Sequence, residues 1–259
     1  MAGERFLVRE AVEGVRARLA PVNRTFATAL SLDKNAAEAL QGIAQSWRTA
    51  SFGPDERLEA GGDGCDLAVS VLALHGLNDL PGALAQIRRA LKPDGLFLAA
   101  LFGGATLTEL RESFAAGEIA TLGGVTPRVA PMADVRELGT LLQRAGFALP
   151  VADVERTTVR YRRFATLVND LRALGETNAL AGRHRRLSRA TLAAALAHYA
   201  AAHADADGRL LATFDIVYLT GWAPHESQPK PLRPGSAKMR LADALGTVER
   251  PAGDKAAPK

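Results

Sequence analysis

The segment DLAVSVLALHGLNDLPGALAQIRRALKPDGLFLAALF, residues 66–102, decides the fold of this chain. It contains two continuous apolar runs, 66–74 and 96–102, whose length is typical of strands that are buried on both faces. Between them, Asp79 can cap a helix. Leu91-Lys-Pro-Asp-Gly95 ends that helix and turns the chain, since Pro93 cannot continue a helix and Gly95 tolerates a positive φ. A strand, a helix, a tight turn and a second strand predict a βαβ unit, and therefore a parallel sheet with a right-handed crossover.

The same alternation of elements continues on both sides of this unit, so we expect an α/β sandwich with a mostly parallel sheet. The apolar spacing and the capping residues predict helices at Phe6–Leu19, Asn35–Trp47, Asp134–Gly146, Phe164–Leu174 and Ser188–His203, and strands at Phe26–Leu32, Arg48–Phe52, Val151–Arg162 and Arg209–Trp222. The expected organisation is an N-terminal helix (1–25), an α/β domain (26–222) and a C-terminal tail (223–259). The tail holds six of the 13 prolines and no aromatic residue, so it is expected to wrap the surface or to be disordered.

Composition excludes several classes of protein. The net charge of +4 is too small to argue for nucleic-acid binding, and no DNA partner is predicted. The single cysteine, Cys65, excludes an internal disulfide framework and a zinc site built on cysteine pairs. No uncharged apolar run reaches the roughly 18 residues of a membrane span, and the first residues lack the layout of a signal peptide. A cytoplasmic location with no membrane span is therefore expected.

Several motifs together resemble a known family. They are Leu74–Pro81 with Leu91–Gly95, then Phe102–Arg111, Gly123–Pro131, Gly175–Asn178 and Gly221–Gln228. The first pair is similar to the fourth strand and crossover helix of class I S-adenosylmethionine-dependent methyltransferases. The later motifs resemble the complex I assembly factor 5 family, relatives of the malonyl-carrier-protein methyltransferase of biotin synthesis, over about residues 66–245. The resemblance implies a Rossmann-like methyltransferase sandwich, S-adenosylmethionine as cofactor and a protein partner or substrate; the mitochondrial member is associated with arginine hydroxylation rather than methylation.

The chain departs from this family at the cofactor motif. The resemblance implies cofactor contacts at Ser31 and Asp33, and at Ser70 and Leu72 in the following buried strand. In the family the first of these strands ends in a glycine-rich turn, whose glycines let the backbone approach the cofactor. Here the turn reads SLDKNAA, residues 31–37, so that side chains replace the glycines and Ser31 replaces the acid. The cofactor is therefore expected to be bound weakly or to be absent.

The N-terminal half is also short. Only residues 34–65 separate the altered motif from the fourth strand of the family, and this length holds about one helix and one strand. One βα unit is therefore expected to be missing, together with the acid that binds the ribose of the cofactor. Asp55 and Glu56 are weak candidates to replace it.

The predicted site lies on two loops that follow buried strands. The candidate catalytic residues are His75, Asn78, Asp79, Glu109 and Arg111, and the candidate substrate-binding residues are Phe102, Gly103, Gly104 and Thr106. Ligands of such sheets bind at the carboxyl ends of the strands, which favours these loops. The alternative reading makes Asp79 a helix cap, Glu109 and Arg111 an exposed charge pair, and the paired glycines a strand-to-helix turn.

The remaining charged residues and histidines do not predict a specific site. Residues 156–189 hold nine arginines and two acidic residues, a net charge of +7 that can attract an acidic partner or form a solvated face. His198 and His203 are spaced wrongly for one helical face, so no metal site is expected. Two functions remain open: an enzyme of the methyltransferase superfamily, or a non-catalytic scaffold or assembly partner that has lost the cofactor. Either one can be a hetero-oligomer or a homo-oligomer.

Overall fold

The computed structural model describes residues 6–59, 61–62, 64–178, 180, 186–229, 239–240, 243 and 246–248. The chain forms two compact units, residues 1–225 and 226–259. Every named helix and strand lies in the first unit. The predicted tail falls mostly outside the described residues, and the predicted domain boundaries stay predictions.

The first unit is a six-stranded sheet with helices on both faces. The strands are β1 (Phe26–Ser31), β2 (Ala44–Thr49), β3 (Cys65–Val71), β4 (Leu91–Gly103), β5 (Ala148–Tyr161) and β6 (Leu210–Trp222). The helices are α1 (Phe6–Leu19), α2 (Lys34–Ala39), α3 (Leu80–Ala90), α4 (Thr108–Leu122), α5 (Val135–Arg144), α6 (Phe164–Leu174) and α7 (Arg189–Ala202). The strand order is β2-β1-β3-β4-β6-β5, in which the first four strands are parallel and β6 is antiparallel to both of its neighbours. The predicted α/β fold with a mostly parallel sheet is confirmed.

β4 is the central strand of the core. Leu96, Leu98 and Ala100 face the layer that contains α1 and α7, whereas the residues between them face the layer of α3 and α5. All the residues from Leu96 to Gly103 are buried, as the continuous apolar run predicted. The two helical layers therefore pack against the same strand from opposite sides.

The chain between β1 and β3 contains one helix and one strand, as its length predicted. The prediction of a helix over Asn35–Trp47 is wrong in its second half. α2 ends at Ala39, and the chain turns at Gly42, which has a φ of +88°. The following residues pair with β1 from Phe26↔Ala44 to Ser31↔Thr49, so the strand expected at Arg48–Phe52 lies about four residues earlier. Strand pairing therefore overrides the helical spacing of the side chains there.

The turn predicted at Leu91–Gly95 is an irregular start of β4 in the structure, because β4 begins at Leu91 and its pairing with β3 shifts register before Leu96. Asp94, not Gly95, takes the positive φ, at +61°. A Cβ on Gly95 would lie 2.9 Å from the carbonyl oxygen of Lys92 and 3.1 Å from that of Cys65. Glycine is needed at this position because two backbone segments approach it closely, and not because of its φ.

Gly117 in α4 shows how closely α4 and α7 pack. A Cβ at this position would lie 2.7 Å from the backbone nitrogen of Ala195 and 2.8 Å from the carbonyl oxygen of Thr191. Both atoms belong to the backbone of α7, so the helix itself would have to move.

Gly117→Ala is expected to destabilise the protein by about 2 kcal/mol, because the added methyl group overpacks the α4–α7 contact. The matched control is Gly139→Ala in α5, where the new Cβ would meet only the Cβ of Ala152 at 3.5 Å. That control is expected to be neutral or to stabilise the helix by up to about 1 kcal/mol. Urea unfolding of the three proteins measures both effects, and equal behaviour of the two variants would contradict the packing described.

Candidate functional site

A cavity of about 560 Å³ lies beyond the carboxyl end of β3. Its wall is formed by the turn that follows β3, the start of α4, a loop before α5 and the segment that follows α6. The residues that the argument below uses are Leu72, His75, Asn78, Arg128, Glu176 and Asn178, all of which line the cavity. Cavities at this edge of an α/β sheet are the usual place for ligand chemistry.

The most direct polar contact in this wall joins His75 and Glu176. The Nε2 atom of His75 lies 2.8 Å from the Oε1 atom of Glu176, which is 101 residues away in the sequence. The side chain of His75 is only 8% exposed, and its ring lies edge-on to Phe102 with 5.0 Å between the ring centroids. The Nδ1 atom of His75 is buried and has no hydrogen-bond partner among the described residues. This ring is therefore tightly held by one acid and one aromatic side chain, and it retains one unused polar atom.

Glu176 is positioned by the end of α6. Gly175 takes a φ of +85° there, and the N–H group of Glu176 donates to the carbonyl of Leu171 at 2.8 Å. This is the left-handed helix end that glycine favours. The turn carries Glu176 back over the cavity toward His75.

One wall of the cavity is residues 126–132, which we call the strap. Three hydrogen bonds to backbone carbonyls hold the strap and its ends: the Arg111 guanidinium donates to Ala130 at 3.3 Å, the Asn178 side chain to Pro127 at 3.3 Å, and the N–H of Gly104 to Ala133 at 3.0 Å. The Gly123–Pro131 and Gly175–Asn178 motifs, which are far apart in the sequence, are thereby brought together.

A buried carboxylate also binds the strap. Glu118 in α4 is 0% exposed and accepts hydrogen bonds from the N–H and the hydroxyl of Thr126 and from the Nε of Arg128. Burial acts to raise the pKa of Glu118, but these hydrogen bonds and the charge of Arg128 outweigh it and leave the pKa below its ordinary value. Arg128 lines the cavity, whereas Glu118 does not.

The predicted catalytic residues separate into two groups. His75 and Asn78 line the cavity, whereas Glu109 and Arg111 do not. Glu109 accepts hydrogen bonds from the N–H and hydroxyl of Thr213 in β6, and Arg111 donates to the carbonyls of Thr106 and Ala130. Their contacts link α4 to β6 and to the strap.

The loop after β3 also lines a second, open groove, together with residues 54–58 and α3. Asp79 caps α3 through the N–H of Gly82 at 2.9 Å, as predicted from its position before the helix. The Glu56 carboxylate accepts from the N–H groups of Asn78 and Asp79, each at 2.7 Å, and from the side chain of Asn78 at 2.9 Å. The two backbone hydrogen bonds lower the pKa of Glu56. Asp55 pairs instead with Arg57 on the surface.

The predicted substrate-binding loop after β4 is closed around Asp215 of β6. A Cβ on Gly104 would lie 2.7 Å from the Asp215 carboxylate, and the N–H of Ala105 donates to that carboxylate at 2.9 Å. Thr106 is buried and exchanges hydrogen bonds with the backbone of Asp215. A Cβ on Gly103 would lie 2.6 Å from the side chain of Val217 and 2.9 Å from the carbonyl of Ala133. Both glycines admit protein atoms at close range, and Phe102 contacts His75.

The altered cofactor motif is closed by Asp33. One carboxylate oxygen of Asp33 accepts from the N–H of Ala36 at 2.9 Å and caps α2, and the other accepts from the N–H of Val71 at 2.6 Å. Burial raises the pKa of Asp33, and the backbone hydrogen bonds oppose this only in part. Asp33 therefore bridges the ends of β1 and β3.

The remaining predicted cofactor residues surround this bridge. The Ser31 hydroxyl donates to the backbone carbonyl of Asp33, and Ser70 has a buried hydroxyl without a partner among the described residues. Leu72 takes a φ of +54° and lines the cavity.

The predicted basic strip is partly neutralised. Arg156 makes two hydrogen bonds to Asp215, at 2.7 and 2.9 Å, and Arg160 pairs with Asp205 and Asp207. These acids come from β6 and from the turn before it, outside the segment in which the charges were counted.

The Cys65 thiol and the histidines of α7 and its end form no metal site in the described part of the chain. The burial of Cys65 raises the pKa of its thiol to about 11. The rings of His198 and His203 lie 5.7 Å apart, but no group of three His, Cys, Asp or Glu side chains among the described residues could hold a metal ion. In the same part of the chain, no helix has both the length and the apolar character to cross a membrane.

Comparison with known proteins identifies related chains. Residues 17–99 match a protein-family model described as a methyltransferase domain. The chain is 44% identical over 183 residues to the human protein named "Arginine-hydroxylase NDUFAF5, mitochondrial", a match that covers 71% of this chain and 53% of the human one. It is 39% identical over 170 residues to the malonyl-[acyl-carrier protein] O-methyltransferase of Laribacter hongkongensis, covering 65% of this chain and 54% of that protein. The chain spans about half the length of the curated relatives that it matches.

The fold also matches a solved structure. The crystal structure of the YcgJ protein from Bacillus subtilis superposes with a TM-score of 0.54 at 12% identity, and the match covers 84% of this chain and 99% of that one. At this identity the likeness shows the fold alone.

Glu109→Ala is expected to lower the free energy of unfolding by about 1–2 kcal/mol, because it removes the acceptors of both the N–H and the hydroxyl of Thr213. The control is Glu112→Ala on the same helix, where the carboxylate is 56% exposed, and it is expected to change stability by less than about 0.5 kcal/mol. Denaturant unfolding of both variants tests the assignment, and an unchanged stability for Glu109→Ala would contradict it.

Proposed function

We propose that this chain, which belongs to the class I S-adenosylmethionine-dependent methyltransferase superfamily, acts on or escorts a protein substrate. We also propose that it binds S-adenosylmethionine weakly or not at all. The relatives at 44% identity are named arginine-hydroxylases, although a methyltransferase domain is matched. Since the chain spans about half of their length, their activity enters here only as part of the proposal.

The observation that carries the proposal is the Asp33 bridge. Its carboxylate accepts from the N–H of Ala36 in the first turn of α2 and from that of Val71 at the end of β3, where the resemblance places the methionine end of the cofactor. The carboxylate of S-adenosylmethionine would meet a second carboxylate there, and two like charges in a partly buried site repel strongly. These residues therefore do not fit that end of the cofactor.

The two acids considered for the ribose end of the cofactor, Asp55 and Glu56, make other contacts in the structure. Both oxygens of Glu56 are used by the backbone of Asn78 and Asp79, and Asp55 lies in a surface ion pair with Arg57. Each of the two acids considered as replacements for the ribose-binding residue has another contact.

The cavity beside His75 suits a side chain of a protein substrate. At about 560 Å³ it is of the size that holds a small ligand, and most of its wall is apolar. Glu176 places a carboxylate there, with Oε1 against His75 and the side chain 25% exposed. A carboxylate is a strong acceptor for a guanidinium group. An arginine side chain is therefore the substrate group that we assign to the cavity.

A non-catalytic scaffold or assembly partner is the second candidate function. It is favoured by Glu109 and Arg111, whose side chains contact β6 and backbone carbonyls rather than the cavity. A scaffold would remain bound to its partner during purification from native cells, and the partner would carry no modification in its mass spectrum. The oligomeric state and the cytoplasmic location stay predictions, and the human relative is named mitochondrial.

Calorimetric titration of the purified chain with S-adenosylmethionine is expected to show weak binding or none. Asp33→Gly is expected to tighten binding at least tenfold, because it removes the competing carboxylate. Asp134→Gly is the control, since it also removes a capping carboxylate but from α5. One-to-one binding of micromolar or tighter affinity by the unmodified chain would refute the proposed loss of the cofactor.

Binding of an arginine tripeptide, acetyl-Ala-Arg-Ala-amide, tests the substrate class. Glu176→Gln is expected to weaken this binding about tenfold, which corresponds to about 1.4 kcal/mol. The same peptide with citrulline, which is uncharged, should bind both proteins equally weakly. Glu112→Gln removes a carboxylate that does not line the cavity and should leave the arginine peptide unaffected. An equal affinity of both peptides for the unmodified chain would reject arginine as the substrate group.

A further inference from the structure

Glu118 is a fully buried carboxylate that no part of the proposed function uses. It lies in the second half of α4, and every hydrogen bond that its carboxylate makes to the described residues comes from the strap. The N–H of Thr126 donates at 2.5 Å, its hydroxyl at 2.6 Å and the Nε of Arg128 at 2.8 Å. The Nη2 of Arg128 lies 2.7 Å from the same carboxylate.

A buried charge of this kind is stable only while its partners are in place. Without them, the removal of an ionised carboxylate from water would be uncompensated. Because all of its partners lie within three residues of one loop, Glu118 can stay ionised and buried only if residues 126–128 are docked against α4. The charge and the position of the strap are therefore coupled.

The other hydrogen bonds that end on strap carbonyls are longer. Those from the Arg111 guanidinium and the Asn178 amide are each 3.3 Å long. Glu118 accepts three hydrogen bonds of 2.5 to 2.8 Å on one ionised side chain, and the one from Arg128 also joins two opposite charges. Glu118 is thus the main anchor of the strap.

We infer that Glu118 is a positioning residue that fixes the strap, and with it Arg128 and the adjoining wall of the cavity. The inference rests on the proposed function only in taking this cavity as the site. Glu118 touches no substrate group itself and acts through Arg128 and through the residues up to Met132.

The anchor has a defined dependence on pH. The pKa of Glu118 is lowered in the folded protein, so its stabilising effect is complete above the ordinary glutamate pKa and is lost as the pH falls through the lowered value. The charged group that contacts it among the described residues is Arg128 on the strap. An arginine keeps its charge over this range, so the titration belongs to the carboxylate.

Hydrogen–deuterium exchange of the full chain, with no ligand added, tests the inference. Glu118→Gln is expected to speed the exchange of amides in residues 124–132 at least tenfold, whereas the amides of β4 change much less. Glu118→Asp, which keeps the charge, should restore part of the protection. Asp66→Asn is the matched control, because Asp66 is also a hydrogen-bonded carboxylate but binds Thr28 and Lys92 instead.

A profile from pH 7 down to pH 3, corrected for the intrinsic exchange rate, separates anchoring from general destabilisation. In the unmodified chain the protection of the strap should fall toward the acid end, and in Glu118→Gln this dependence should vanish. If Glu118→Gln does not fold, Thr126→Val removes one of the three hydrogen bonds and should give a smaller increase in exchange at the same residues.

Unchanged exchange in the strap, or an equal increase in the strap and in β4, would overturn the inference. So would the same strap opening in Asp66→Asn. Because the measurement contains neither S-adenosylmethionine nor a peptide, its failure leaves the proposed function untouched. If the titrations with S-adenosylmethionine and with the arginine peptide fail, the inference about Glu118 is likewise unaffected.

Discussion

The burial of β4 on both of its faces is the constraint on which the rest of the structure depends. A strand with no face toward water must be covered by a layer on each side, and α1 with α7 and α3 with α5 supply these layers. Parallel pairing with β3 then sets the carboxyl ends of the strands at one edge, so that the loops after β3 and β4 lie next to each other. His75 against Phe102 is the direct result of this arrangement.

The carboxylates around the site accept hydrogen bonds from the backbone of the protein itself. Asp33, Glu56, Glu118 and Asp215 each accept a backbone hydrogen bond from another loop or strand end, between 8 residues away for Glu118 and 110 residues away for Asp215. Elsewhere such N–H groups are common binding points for anionic ligands. Here internal carboxylates occupy them and fix the loops around the cavity beside Glu176.

The sequence was sufficient wherever a local signal set the structure. The bounds of α1 and α6 were predicted to the residue, because apolar spacing and a glycine cap act over a few positions. α2 and β2 were confused because the spacing of Ala39, Ile43 and Trp47 suits a helix, while pairing with β1 decides the outcome. His75 and Asn78 were predicted as site residues because they come directly after a buried strand, and both line the cavity. Glu176 lay in a motif of the resemblance without a role, and Glu118 had no local signal, because both act on residues that only the tertiary fold brings near.

The burial of the only thiol has a consequence for the chemistry of the whole chain. With its pKa raised to about 11, Cys65 carries almost no thiolate at neutral pH, and thiolate is the form that reacts with oxidants and alkylating reagents. The thiol of the folded protein is therefore expected to react slowly with oxidants. It is also a ready background for site-specific labelling, since one cysteine introduced at the surface would be the only reactive one.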